Sequence, residues 1–389
     1  MTTTPGRIAI VGASAAGFAV ANELREQGYD GTISLIGAEA LPPYDRPPLS
    51  KRKAIDIDDI ALADLGKLEA LDLNLCLGQR AVGLDTIGKT VHLADGRAVR
   101  WDACVIATGA DPIRIPGVES VLRTMADAHV IQSRLDRAGC VAIIGAGVLG
   151  CELASLAISM NCAVTVIDGL PGPMQNRLGT SVSDRLRRHH QEAGVTFRLG
   201  QTVSDVAGNP DQGYRIGLSD GGTVQADAVI AAVGCRPATG WLKDSDVPVN
   251  NGVLCDENCR AMPDVFAAGD VANWFNPRFG RHMRVEHRMN ATEQGMAVAN
   301  QLLARGRPFD PIPFFWTDQG DLKLQVHGLV GPDMEIVRLD GETDDKRFVL
   351  AYLREGLIEG VLGWNMAQML RKARPLIGRP RAAIADWAK

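Results

Sequence analysis

Two short glycine-rich runs, with the acids that follow them, are the residues of this sequence whose spacing implies chemistry. Gly145-Ala-Gly147-Val-Leu-Gly150 stands between an apolar run and a helical pattern, the setting in which N–H groups at a helix start hold a pyrophosphate. The first glycine makes the tight turn, the second lets backbone approach the phosphates, and the third lets helix and strand pack closely. Asp168 ends the next apolar run. A carboxylate there hydrogen-bonds a free ribose 2′-hydroxyl and repels a 2′-phosphate, which favours NADH over NADPH. Arg177 follows at a distance from which it could accept a phosphate, so NADPH stays open. Gly12-Ala-Ser14-Ala15-Ala-Gly17 has the same setting with Ser14 in place of the middle glycine. A second dinucleotide turn and an ordinary strand-to-helix turn both fit it. Glu39, just past the following apolar run, could accept from ribose hydroxyls. Glu152 falls early in the second helix, where a carboxylate meets a favourable dipole or simply caps the helix.

The elements that must position these residues are readable from periodicity. Ile8–Val11 and Val141–Ile144 are too short for helices and too apolar for half-exposed strands, so they read as central parallel strands. Helical patterns over Ala15–Gln27 and Val148–Asn161 lead to further strands at Thr32–Ile36 and Ala163–Ile167. Two βαβ units follow, which makes the fold α/β. Val105-Ile-Ala-Thr108-Gly109 and Val229-Ile-Ala-Ala-Val-Gly234 each close an apolar strand on a glycine, where chain can leave a sheet without a Cβ clash. They mark crossings in a nested arrangement: residues 1–108 and 236–308 form one domain around an inserted domain, 109–235. Pro308–Pro313 reads as a linker. Alternation over Leu322–Val326 and Arg347–Tyr352 then predicts an antiparallel sheet in a small domain at 309–389.

Composition narrows the partners. The formal charge of −5 argues against a general nucleic-acid binder, and no stretch is apolar enough to span a membrane. The eight cysteines are scattered, several inside apolar patterns, which fits a reduced cytoplasm. Cys255 and Cys259 lack the second pair a zinc site needs, so no metal is expected. No Cys-x4-Cys follows the first helix, so a disulfide relay is not expected.

With both turns placed, Pro43-Tyr-Asp-Arg46-Pro-Pro-Leu-Ser50-Lys51 is long and unusual enough to be informative. The chain resembles the FAD-dependent NADH:ferredoxin reductases of bacterial oxygenase systems, which serve Rieske dioxygenases or cytochromes P450. The likeness continues through Thr108-Gly109, Asp264-Val-Phe-Ala-Ala-Gly-Asp270, Glu286-His-Arg-Met-Asn-Ala291 and Phe315-Trp316-Thr-Asp-Gln319. It implies two Rossmann-like dinucleotide-binding domains of the glutathione-reductase-like type and a small α+β C-terminal domain. It places FAD at Gly12, Ser14, Ala15, Gly17, Glu39, Thr108 and Gly109, with Arg46 and Lys51 on the pyrophosphate and flavin side. Val82 would lie near the adenine and Asp270 on the ribityl chain. NAD falls to Gly145, Gly147, Gly150, Glu152, Asp168 and Gly234. Lys51 and Glu152 would meet beside the nicotinamide. Trp316 matches an aromatic packed near the flavin, although an ordinary buried tryptophan fits too.

Three positions depart from the family pattern. Arg288 stands beside the flavin where relatives often carry Trp or an aliphatic residue. Gly320 replaces a frequent Tyr, and Gly172 replaces an Arg after the NAD-site acid, which agrees with NADH.

The implied activity is electron transfer from NADH through FAD to a small [2Fe–2S] ferredoxin, by a monomer or homodimer. NADH oxidase or rubredoxin reductase is a rival on the same architecture, and a redox sensor resembling apoptosis-inducing factor is another. Arg278, Arg281, His282, Arg284, His287 and Arg288 form one basic cluster, and Arg371, Lys372, Arg374, Arg379 and Arg381 another. They read either as a docking face for an acidic ferredoxin or as solvated surface.

Overall fold

The computed structural model describes residues 4–342 and 346–387; residues 1–3, 343–345 and 388–389, in the expected first and last domains, lie outside the described residues. The chain divides into two compact units. One comprises Met1–Arg46, Asp56–Asp111 and Arg236–Ile312, and the other Pro47–Ile55, Pro112–Cys235 and Pro313–Lys389.

In the first unit the apolar strand Arg7–Val11 is central because Ile8 to Val11 bury both faces. Its six-stranded sheet runs in the order Arg260–Met262, Val265–Ala267, Ala103–Ile106, Arg7–Val11, Thr32–Ile36, Asn74–Cys76. All neighbours are parallel except the outer pair Arg260–Met262 and Val265–Ala267. The helix Ala15–Glu26 covers the sheet and packs on Arg288–Leu302. Gly295 makes the closest approach: a Cβ there would lie 2.5 Å from the Ala16 carbonyl oxygen and 2.9 Å from the Ala19 Cβ.

The second unit repeats the scheme. Its parallel five-stranded sheet has the order Thr196–Leu199, Ala163–Asp168, Cys140–Ile144, Ala228–Ala231, Ser120–Val121. The helix Val148–Ser159 follows the central strand. Pro47–Ile55 is tied into this unit, in part by Gln132, whose Nε2 donates to the Arg52 carbonyl at 3.1 Å. The antiparallel sheet expected after the linker is present, in the order Phe314–Gln319, Leu322–Gly328, Leu357–Trp364, Phe348–Arg354, Glu335–Gly341. The α/β fold with two Rossmann-like units and an α+β C-terminal part therefore holds.

The helix Thr180–Glu192 packs on the antiparallel sheet of the second unit. Its Val182 and Leu186 share one apolar cluster with Leu322, Leu324 and Trp364, and burial of such side chains contributes about 2 kcal/mol each. The same helix buries His189 and His190. His190 Nε2 lies 2.8 Å from Gln319 Oε1, and His189 Nε2 lies 3.1 Å from the Gln319 carbonyl oxygen. Burial pulls the His190 pKa down to about 4 from its ordinary 6.5.

That shift has a defined sign. Between pH 6.5 and about 4 the unfolded chain takes up a proton that folded His190 refuses, so stability is lost as the pH falls through this window. His327 acts in the same direction, its pKa also lowered to about 4, first by burial and then by Arg374 and Arg371. Thermal melts at pH 7 and pH 5 should show a lower midpoint at pH 5. The drop should be smaller in His190→Gln, with His190 contributing on the order of 3 kcal/mol across the full window. Equal drops in both proteins would remove His190 as the source.

Candidate functional site

The two glycine turns have the same local construction. Gly12 and Gly145 adopt φ values of +120° and +108°. A Cβ on Gly12 would fall 2.1 Å from the Ala107 carbonyl oxygen, and one on Gly145 would fall 2.3 Å from that of Ala232. Cβ atoms on Gly17 and Gly150 would strike the carbonyls of Gly12 and Gly145 at 1.8 and 1.9 Å. These four positions are glycine because helix and strand touch through backbone.

The middle positions differ. Gly147 has a φ of −73°, and a Cβ added to it would meet no atom within 4 Å, so space stands open above the turn. Ser14 fills the matching place with an ordinary φ of −118°, and its Oγ accepts from Arg46 Nη1 at 2.6 Å. Neither of the helices that start at Ala15 and Val148 has a side-chain cap. The helix Met125–Leu135, by contrast, carries a full capping box from Thr124 and Asp127. The first-turn N–H groups at both glycine turns are thus left for an anionic ligand, the arrangement that suits a dinucleotide pyrophosphate.

Around the first turn, Arg46 Nη2 pairs with Glu39 Oε1 at 2.8 Å, and Tyr44 donates to Glu39 Oε2 at 2.6 Å. Glu39, Arg46 and Ser14 therefore form one linked group in the first unit. Thr108 Oγ1 donates to the Ala238 carbonyl at 2.9 Å, and the Gly109 carbonyl accepts from Ala238 at 3.0 Å. These bonds lock the exit from the strand Ala103–Ile106. Asp270 follows Gly269, whose N–H donates to the buried Gln294 Oε1 at 2.9 Å. Val82 is exposed on Ala81–Asp85. Arg288 opens its helix and is bound by Asp45 and Thr292.

In the second unit, Asp168 accepts from the backbone N–H of Ala146 at 2.5 Å and of Leu170 at 2.7 Å. The acid is thus anchored to the turn itself. The Gly234 carbonyl accepts from Ile113 at 2.9 Å. At Gly172 a Cβ would meet Ser183 Oγ at 2.2 Å, so the departure from Arg has a packing reason as well. Trp316 is partly buried and stacks on Phe314 with ring centroids 5.9 Å apart.

Glu152 is the most constrained charge here, only 5% exposed. Lys51 Nζ lies 2.9 Å from its Oε1, Thr317 Oγ1 donates to the same oxygen at 2.7 Å, and Ser50 donates to Oε2. A buried carboxylate needs this pairing, because an isolated one costs several kcal/mol. Helix capping does not describe it. The sequence alone does not single out Ser50 and Thr317 for this role, nor Gln319, whose Nε2 donates to Thr317 Oγ1 at 3.1 Å. The available signal is polar residues at the alternate, inward positions of Phe314–Gln319, where Phe315, Thr317 and Gln319 are buried.

The expected basic face is largely satisfied internally. Arg278 pairs with Asp310 at 2.9 Å, Arg284 with Glu286 at 2.6 Å, and Arg288 with Asp45. Arg381 is taken by Glu335, while Arg371, Lys372, Arg374 and Arg379 remain exposed. All eight cysteines are free, and burial raises the Cys151, Cys255 and Cys259 thiols, the last to about 12. Among the described residues no cluster could hold a metal, and no helix is long and apolar enough to cross a membrane.

Two uncapped helix starts over glycine turns, each with a nearby acid, suit an oxidoreductase with two dinucleotide sites, and the family match identifies the pair as FAD and NAD(H). The chain belongs to the family described as pyridine nucleotide-disulphide oxidoreductase, which matches residues 6–295, and its residues 314–387 match the family described as reductase C-terminal. It is 35% identical over 347 residues to the ferredoxin–NAD(+) reductase component of the p-cumate 2,3-dioxygenase system of Pseudomonas putida, covering 87% of this chain and 85% of that protein. It is 32% identical to a rubredoxin–NAD(+) reductase of Pseudomonas putida, over 90% of this chain and 94% of that one. The crystal structure of the ferredoxin reductase for the CYP199A2 system from Rhodopseudomonas palustris superposes with a TM-score of 0.92 at 31% identity, covering 98% and 97% of the two chains.

The open space at Gly147 yields a test. Gly147→Ala should leave the melting temperature nearly unchanged, since its Cβ meets no atom, yet raise the KM for NADH by about tenfold where backbone must approach phosphate. Gly150→Ala should unfold at markedly lower temperature. A Gly147→Ala protein with unaltered KM would remove the nucleotide from this turn.

Proposed function

We propose that this FAD- and NADH-dependent oxidoreductase is a ferredoxin reductase that delivers electrons to a [2Fe–2S] ferredoxin serving an oxygenase. The observation that carries the reading is the ion pair of the partly buried Lys51 with the buried Glu152, which lies two residues past the glycine turn of the second unit. Bound FAD would supply the chemistry, hydride acceptance from the nicotinamide and release of electrons one at a time. The chain's own contribution is placement. We assign Gly12, Ser14, Ala15, Gly17, Glu39, Arg46, Val82, Thr108, Gly109, Asp270, Arg288 and Trp316 to FAD, with Lys51 shared. Gly145, Gly147, Gly150, Glu152, Asp168 and Gly234 are assigned to NADH. In this reading residues 1–108 and 236–308 are the FAD domain, 109–235 the NAD domain and 309–389 the C-terminal domain.

Lys51 and Glu152, held together by Ser50 and Thr317, present a fixed charge pair to the nicotinamide end, and no proton transfer is asked of them. No Cys-x4-Cys pair follows the first helix, so transfer to the acceptor is direct in this reading. Cytoplasmic residence, as monomer or homodimer, fits eight free cysteines. The similarity to a rubredoxin reductase supports rubredoxin as a second acceptor.

Anaerobic reduction by NADH followed by mixing with ferredoxins, rubredoxin and oxygen separates the readings, and fastest reoxidation by a ferredoxin is expected. The exposed cluster Arg371, Lys372, Arg374 and Arg379 should make kcat/KM for ferredoxin fall as salt rises, with NADH-driven flavin reduction little changed. Salt-independent ferredoxin turnover would leave that cluster without a docking role.

Nucleotide choice is tested at the anchored acid. Wild type should prefer NADH by at least about tenfold in kcat/KM, and Asp168→Ala should narrow the gap. A wild-type preference for NADPH would overturn this assignment.

A further inference from the structure

Behind Glu152 the second unit contains a chain of buried polar side chains that continues past Thr317 to Gln319 and His190, which the electron-transfer reading leaves unused. Glu152 Oε1 accepts from Thr317 Oγ1 at 2.7 Å, Thr317 Oγ1 accepts from Gln319 Nε2 at 3.1 Å, and Gln319 Oε1 accepts from His190 Nε2 at 2.8 Å. Thr317 and Gln319 are 0% exposed and His190 is 1% exposed. We propose that His190 is a positioning residue for the Lys51–Glu152 pair, acting through Gln319 and Thr317. The inference rests on the assignment of that pair to nicotinamide placement.

Donor counting fixes the direction of the whole chain. An ionised carboxylate only accepts, so the single hydroxyl proton of Thr317 must point at Glu152. The Thr317 oxygen is then an acceptor and requires the amide nitrogen of Gln319. That turns the Gln319 oxygen to His190, which must carry its proton on Nε2. The other Gln319 N–H faces the Met174 sulfur at 3.8 Å, a weak acceptor that suits the same orientation.

The opposite histidine tautomer would reverse every link. With the proton on Nδ1, His190 Nε2 would accept from a flipped Gln319 amide. The Gln319 oxygen would then claim the Thr317 proton, and Glu152 would lose one of its three donors. Because these groups are sealed from water, nothing else replaces the lost bond. His190 Nε2–H therefore determines how firmly Glu152, and with it Lys51, is held. Fully satisfied polar networks can also merely fill a core, and an apolar replacement of such a network is often neutral in stability. The test must therefore read placement apart from folding.

The experiment uses the full-length, FAD-loaded protein with Thr317→Val, His190→Leu and His190→Gln, with Glu152→Gln as reference. It measures the limiting rate of flavin reduction by NADH, NAD+ affinity by calorimetry, melting temperature, and the His190 tautomer by nitrogen NMR. We expect Thr317→Val, which keeps the shape and removes the hydroxyl, to reduce the limiting rate about tenfold while NAD+ affinity changes by less than about threefold. His190→Leu should behave alike if it folds. His190→Gln, which returns an N–H donor, should recover most of the rate, and the wild-type spectrum should show the proton on Nε2. An Nδ1 proton, or an unchanged rate in Thr317→Val, overturns the proposal, as does a rate loss in His190→Gln equal to that in His190→Leu. If Glu152→Gln slows reduction and Thr317→Val does not, the positioning role alone fails. If Glu152→Gln leaves reduction unchanged, the assignment of the pair fails and the proposal with it.

Discussion

A carboxylate taken out of water must be matched on every side, and Glu152 imposes that demand on the second unit. Three segments far apart in the sequence converge on it: Ser50 and Lys51 from the stretch after Arg46, Glu152 itself from the helix Val148–Ser159, and Thr317 from the first strand of the C-terminal sheet. Removing one partner of such a group typically costs about 3–5 kcal/mol, because a buried charge is then left in a medium that cannot solvate it. Specific chain crossings are thereby tied to one side chain. Pro47–Ile55 belongs to this unit for that reason together with its bonds to Gln132 and His129.

Both glycine turns express a second constraint, the approach of backbone to backbone. Where a Cβ would sit about 2 Å from a carbonyl oxygen, side-chain choice is over, and glycine follows from geometry. The middle residue is released from that rule. Gly147 stays open, and Ser14 is used as an acceptor for Arg46, so the two turns share a frame while differing in the charge brought near it. Neither of these two helices has a side-chain cap, so the first-turn N–H groups over both turns stay free of side-chain acceptors.

Surface charge in this molecule serves first to satisfy neighbours. Arg278, Arg284 and Arg288 read as a basic face in sequence, yet each has an acid within hydrogen-bonding reach, so the field they project is reduced. Arg371, Lys372, Arg374 and Arg379, after the helix start at Ala367, remain exposed. Thiol chemistry is likewise withdrawn: desolvation raises Cys104, Cys151 and Cys259, which behave as small apolar residues of the core.

The sequence alone determined the repeated βαβ scheme, because its signals are local: Ile8–Val11 and Val141–Ile144 are apolar runs of strand length, and the glycine spacing that follows each run is dictated by the turn it must make. It also located Asp168 and the antiparallel C-terminal strands, through position and period two. Tertiary structure decided the rest. That Asp168 is bonded to the Ala146 N–H, that Arg278, Arg284 and Arg288 each pair with an acid, and that Ser50 and Thr317 meet Glu152 with Gln319 behind Thr317 are matters of tertiary pairing, which no local period encodes. His190 shows the difference most plainly. In the sequence it is one of two histidines in a charged helix, and only the packing of that helix against Phe314–Gln319 removes it from water, lowers its pKa and points its ring nitrogen at Gln319.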